Sequence, residues 1–292
     1  MKASHIVVLL VSFLVSDLQA GIYFESTTTV TGGKPGQSSL MNSKARSFIS
    51  DDKLRTEMIE SQNPMMPAGS FMISTDGGKT MTIVNPATQS YAIMDLEAMA
   101  GMFSGGMVNI VNPAFEKIAD EDGGEILGHK VRHIKFKKSY GMEMNFMGMR
   151  NSTTVESTQE IWAASDLLAD GPNLWSGQKG FATGDKEFDR RILDEMAKIR
   201  GLPLKQVMTS RETADGGAVT ESVTTINVNL LREEHVEDSM FEIPSGFTER
   251  SIIEIGASQR MNSDTSDSGD QAPAFDPSAL MEMMNKMKRS QP

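Results

Sequence analysis

The chain has 292 residues, with 28 Lys and Arg against 39 Asp and Glu, a net charge of −11, 23 Met and no Cys. The acidity argues against wrapping a polyanion, because nothing neutralises phosphates in bulk. The lack of cysteine excludes disulfides, thiolate metal sites, a cysteine nucleophile and a lipidated N-terminal cysteine.

Residues 1–20 read as a secretory signal peptide. Lys2 gives a positive start, Ile6–Val15 is apolar except for Ser12, and Ala20 stands at the cleavage position. A membrane span needs about 20 apolar residues, more than this stretch offers. The expectation is a periplasmic or secreted chain with no transmembrane segment after cleavage near Ala20. Residues 21–256 would form one folded domain.

Strand patterns open that domain. Ile22–Val30 is aromatic and β-branched. Met41–Ser50 and Lys53–Glu60 follow, with Asp51-Asp52 as the turn. Phe71–Ser74 and Lys79–Val84 flank Asp76-Gly77-Gly78, a hairpin signal because glycine accepts the positive φ of a tight turn. Gln89–Asp95 continues the meander. Leu96–Phe103 reads as a short helix, and the Gly101–Gly106 region with Asn112-Pro113 as a loop. Val131–Lys138 alternates, and Ser152–Ala163 is a Thr-rich strand. Asp166–Ala169 looks helical.

Asp185–Arg200 is the clearest helix. Phe188, Ile192, Met196 and Ile199 fall on one face, Asp185 can cap the start, and Gly201 with Pro203 ends it. Strands resume at Leu204–Arg211 and Val219–Leu230, joined by Asp215-Gly216-Gly217. Phe241–Pro244 and Gly246-Phe247 close the sheet. Residues 257–292 read as a disordered linker ending in a short Met-rich helix. The class is α+β and mainly antiparallel β. It is a curved, half-open barrel of about 9–11 strands, with helices on the concave face.

Several motifs carry a family resemblance: Asp51–Arg55 (DDKLR), Asp76–Met81 (DGGKTM), Asn85–Tyr91 (NPATQSY), Gly128–Val131 (GHKV), Gln159–Leu167 (QEIWAASDL) and Phe241–Phe247 (FEIPSGF). Together they resemble the bacterial exported family known as domain of unknown function 4412. That family looks related to the LolA, LolB and LppX lipoprotein carriers. The family usually has a cysteine where this chain has Val131. The resemblance implies an unclosed barrel whose helices plug an apolar cavity for acyl chains. It also implies an early-strand arginine that holds the lid, and Arg55 is the nearest match.

Enzyme signatures are absent. Gly78-Lys79-Thr80 imitates the end of a P-loop, but the required earlier glycine is Ile73, and the segment lies in a hairpin. His129 and His133 share a strand face but stand too far apart for easy joint ligation. No cofactor is implied.

Methionine leaves three readings open. Met142, Met144, Met147 and Met149 could hold Cu(I), since soft thioethers suit a soft ion. Methionines could line a surface that adapts to variable apolar shapes. They could simply fill core. Their dispersion along the chain favours the packing readings. The expected function is a non-enzymatic binder of a lipid, an acylated protein or another apolar ligand, with Arg55, Phe188, Ile192 and Met196 at the site. The alternatives are a Met-based Cu(I) protein and an envelope interaction module. Partners would be an apolar ligand or a lipoprotein or other envelope protein, not nucleic acid.

Overall fold

The computed structural model describes residues 20–34, 38–95, 108–146, 149–168, 185–251 and 254. The signal peptide, the Leu96–Phe103 helix and the 257–292 tail lie outside the described residues.

Twelve strands build one sheet. They are β1 (Ala20–Gly32), β2 (Ser43–Ser50), β3 (Lys53–Ser61), β4 (Phe71–Ser74), β5 (Thr80–Asn85) and β6 (Ser90–Asp95), then β7 (Val108–Ile126), β8 (His129–Phe146), β9 (Met149–Ala164), β10 (Leu202–Ala214), β11 (Val219–His235) and β12 (Thr248–Glu249). Their spatial order is β12-β6-β5-β4-β3-β2-β1-β11-β10-β9-β8-β7. Every pairing is antiparallel except β12 with β6. The sheet does not close into a barrel, since β12 and β7 stand at opposite ends of that order.

The order follows from where the chain starts. β1 is central, pairing β2 on one side and β11 on the other. Two meanders therefore meet at β1 and β11, and each forms an arm: β2–β6 and β7–β10. Tight turns fix the first arm. Asp76 Oδ1 accepts hydrogen bonds from Ser74 Oγ and from the Lys79 and Thr80 amides, each at 3.0 Å. Gly77 and Gly78 supply positive φ.

Three expectations need correction. The strand count is twelve rather than 9–11. The segment around Asn112-Pro113 is not a loop but part of β7. It sits at a register shift between Val111 and Ala114, with Asn112 at φ +53. Proline is tolerated there because an edge strand with a bulge has no ladder bond to lose. Two further shifts along β7 break up its open edge, which limits pairing with another chain. Helix coverage is also smaller than expected. Among the described residues there is one complete α-helix, α1 (Lys186–Met196), and residues 166–168 form a turn and bend.

α1 starts at Asp185, whose side chain accepts from the Glu187 and Phe188 amides. Gly201 turns the chain from the helix into β10 at φ +88, where a Cβ would stand 1.9 Å from the Ala164 carbonyl oxygen. Only glycine fits that approach.

Burial divides into three clusters. Phe115, Ile134, Phe136, Ile161 and Ala163 lie under Phe188, Met196 and Ile199. Ile22, Ile49, Leu202, Leu204 and Val228 join the arms at their root. Phe71, Ile73 and Val84 are covered by Val236 and Phe241 of the segment after β11. That segment contains a 3-10 turn (Asp238–Phe241) and then adds β12. It thus packs over the sheet before closing it.

Candidate ligand-binding face

Directly paired residues share a sheet face, so register carries one face across all the strands. The face under α1 runs through Phe136, Gln159, Met208, Thr224 and Val30. From β1 it continues through Phe24, Ser47, Thr56, Met72, Ile83 and Ala92. Phe71, Ile73, Val84 and Tyr91 therefore point the other way. The arm under α1 buries its cluster on that face, whereas the β2–β6 arm buries Phe71, Ile73 and Val84 on the other face and also Ser47, Ile83 and Ala92 on the α1-bearing one.

This geometry separates the residues expected to form a site. Phe188 and Met196 are 2% and 3% exposed, seated on Phe136, Ile161 and Ala163, with Ile192 half-buried beside them. They anchor α1 to the sheet rather than presenting a surface. Arg55 lies on the other arm and the other face. Its Nε donates to Glu57 Oε1 at 2.6 Å, and its Nη1 donates to the Met240 carbonyl at 2.7 Å. Its guanidinium sits 3.6 Å from the centroid of the Phe71 ring. Arg55 does hold a cover in place, but the cover is the 3-10 turn Asp238–Phe241, not α1.

The methionines behave differently. Met58, Met72, Met81 and Met94 are scattered over 37 residues of sequence. Register puts them all on the α1-bearing face: Met58 opposite Ala45, Met72 opposite Ile83, and Met81 opposite Met94. Met142 on β8 and Met208 on β10 share that face at the other arm. Five of these six are half-buried and Met208 is 39% exposed. Of the expected copper cluster, Met144 and Met149 fall in β8 and β9, and Met147 lies outside the described residues.

The same face holds a charged group with no partner. Lys138 lies opposite Phe115 on one side and Ser157 on the other, with Phe136 and Tyr140 two residues away in β8. It is half-buried, and burial lowers its pKa. Among the described residues no hydrogen bond or ion pair reaches it. Ser157 is 6% exposed, and its Oγ also has no partner. Burial raises the Tyr140 pKa, and the Glu212 carboxylate adds to the rise. The Tyr140 ring meets Phe188 edge-on at 6.0 Å between centroids, which places this group beside the start of α1.

The α1-free face of the same arm is polar. A groove of about 280 Å³ is lined by Lys137, Glu156, Thr158, Thr209, Arg211 and Glu221 of this face, and it also touches Ser157, whose register partner Lys138 belongs to the other face. Arg211 pairs with Glu221 at 3.3 Å, so its charges largely satisfy one another. Further along, His133 stacks on Trp162 at 4.4 Å and bonds Glu160 and Glu121 through its two ring nitrogens. His129 instead bonds Asp166. The two histidines thus keep separate partners, and no group of three or more His, Asp and Glu that could hold a metal occurs among the described residues.

The sequence could have flagged Lys138. Lys135 and Lys137 alternate with the apolar residues of β8, whereas Lys138 is in phase with Phe136 and Tyr140. A lysine on the apolar phase of a strand is the signal that was read past.

No helix among the described residues is long and apolar enough to cross a membrane. No curated protein matches the chain. A solved structure, that of PNGF-II in the C2 space group, is 13% identical with a TM-score of 0.36. The match covers 82% of this chain and 34% of that one, so the chain spans about a third of its length. A likeness at that level carries no argument about fold or function. The family model for the domain of unknown function DUF4412 matches residues 37–247, from before β2 to the threshold of β12. That stretch holds most of the sheet and α1, and the chain belongs to the DUF4412 family.

Proposed function

We propose that this protein is a non-enzymatic, exported binder of acyl-bearing ligands, which it holds on the α1-bearing face of its sheet. The observation that carries the reading is that Met58, Met72, Met81, Met94, Met142 and Met208, on six strands of the sheet, all share that face. Methionine is flexible and polarizable, so a Met-lined surface accepts apolar chains of varied shape without a preformed fit. Each buried acyl CH₂ contributes about 0.8 kcal/mol, so a partly covered face is enough for useful affinity. The resemblance of the motifs to a family that looks related to LolA-type carriers agrees with this use, and the leader-like residues 1–20 agree with a periplasmic or secreted location.

Native mass spectrometry of the gently purified protein tests the reading, together with titration of a fluorescent fatty acid. Co-purified lipid, or saturable uptake with micromolar affinity, is expected. Protein that emerges free of lipid and takes up no probe would sink the proposal.

A further inference from the structure

We propose that Lys138 and Ser157 form the head-group end of this face and select a single monoanionic carboxylate, so that the preferred ligand is a long-chain fatty acid. This inference rests on the acyl-binding reading above and adds the chemistry of the ligand's polar end.

The argument starts from two unsatisfied groups side by side. Lys138 and Ser157 are direct partners across β8 and β9. Side chains at such positions stand about 4.5–5.5 Å apart at Cβ. Ser157 Oγ is buried without a partner, and Lys138 has none among the described residues. A buried polar group without a hydrogen bond is costly, and a buried charge without a counter-charge more so. Two such defects at directly paired positions are hard to reconcile with a purely structural role. Both are removed by one ligand group with a negative charge and two acceptor oxygens. The ammonium takes one oxygen and the hydroxyl donates to the other.

The surroundings decide what is attached to that group. Phe115, Phe136 and Tyr140 border Lys138 on the same face, and Val155 lies opposite Tyr140. These are walls for hydrocarbon rather than for sugar or peptide. Charge selects between acidic heads. One ammonium balances one negative charge. A phosphate monoester would bring a second charge into a half-buried, largely apolar setting, where the other cations on this face are already engaged: Lys117 pairs with Asp120 and Glu195, and Arg191 donates to the Phe115 carbonyl. The nearby carboxylate of Glu212 would oppose it further. A carboxylate matches the site in charge and in oxygen count.

The arrangement also differs from the polar groove on the other face. There Arg211 is already paired with Glu221.

The test uses delipidated full-length protein and three probes with the same sixteen-carbon chain: palmitate, hexadecanol and hexadecyl phosphate. Competition against a neutral fluorescent probe gives each affinity. Wild type is expected to bind palmitate at least ~10-fold more tightly than the other two. Lys138→Met should bring palmitate down to the level of hexadecanol while hexadecanol itself changes less than ~3-fold. Ser157→Ala, a smaller change, should give the same trend at reduced size and guards against misfolding of the first variant. Equal binding of palmitate and hexadecanol by wild type overturns the head-group assignment and leaves the acyl-binding reading intact. Tighter binding of hexadecyl phosphate overturns the monoanion selection. If none of the three probes binds, the acyl-binding reading falls and this inference with it.

Discussion

Arg55 and Lys138 are both cations on antiparallel strands of one sheet, and the structure treats them in opposite ways. Arg55 sits on the arm made by β2–β6. A carboxylate, a backbone carbonyl and an aromatic ring all engage its guanidinium. Lys138 sits on the arm made by β7–β10, on the other face, with apolar neighbours and an unpartnered hydroxyl. The first cation is used up in folding, because its partners belong to the chain itself. The second is left with capacity to spare. The same comparison holds for the covers. The segment after β11 is fastened by Arg55 to the sheet, whereas α1 is held by side-chain burial through Phe188, Met196 and Ile199.

The sharpest way to break this contrast is to remove an anchor. Phe188→Ala deletes a ring that is 2% exposed, and should cost about 3 kcal/mol in urea denaturation. Hydrogen exchange should then rise in α1 and β8 but not at β4 and β5, where a different cover is in place. Equal loss of protection in both arms would mean that they do not act separately.

Arg55→Ala comes next, at about 2 kcal/mol, because it strands the Met240 carbonyl in a partly buried setting and leaves Arg46 as the only cation on the Glu57 carboxylate among the described residues. Exchange at Val236–Phe247 reads the effect. Arg55→Lys should recover only part of it, since an ammonium cannot engage both partners and stack on Phe71.

Asp76→Ala should cost about 1 kcal/mol by removing the acceptor for three hydrogen bonds in the β4–β5 turn. Burial pushes the Asp76 carboxyl up, but the bonds from Thr80, Ser74 and Lys79 outweigh it and hold the pKa below its usual value. A depressed carboxyl contributes stability that is present above the usual carboxylate range. That contribution is lost as pH falls through the folded-state value. The acid limb of a stability–pH curve should therefore be flatter in Asp76→Ala than in wild type.

The smallest effect has the opposite sign. Lys138→Met should stabilise the ligand-free protein by about 1 kcal/mol, since an apolar chain replaces an uncompensated ammonium. The Lys138 pKa is lowered, so its burial penalty is present while it is protonated. The penalty is relieved as pH rises through the folded-state value towards the ordinary lysine range. An alkaline gain in stability in wild type that disappears in Lys138→Met, read by thermal melts, supports the contrast with Arg55. A destabilised Lys138→Met would place both cations in the same structural class.

Much of the local structure was legible in the residues. The Asp76-Gly77-Gly78 turn, the helix capped by Asp185 and most strands of both arms follow from turn chemistry and periodicity, although the helix ends at Met196 rather than at Arg200. β7 was not legible. Its run from Val108 to Ile126 is charged, contains a proline and bends at three register shifts, so neither alternation nor β propensity marks it. It is a strand because β8 pairs with it. The candidate site was less legible still. The amphipathic helix drew attention to Phe188, Ile192 and Met196, which turn out to be anchors, and the charged run of β8 hid Lys138.

By itself, the sequence determined most of the strands and turns, the helix that starts at Asp185, and that neither disulfides nor thiolates could take part. Those are local properties, set by φ preferences, capping and the period of apolar residues. Only the tertiary structure decided which face each side chain joins, because register is set between strands far apart in the chain and each bulge shifts it. For that reason Met58, Met72, Met81 and Met94 share one face with Met142 and Met208. Arg55 falls on the other, and Lys138 comes to lie beside Ser157 with no ion-pair partner among the described residues.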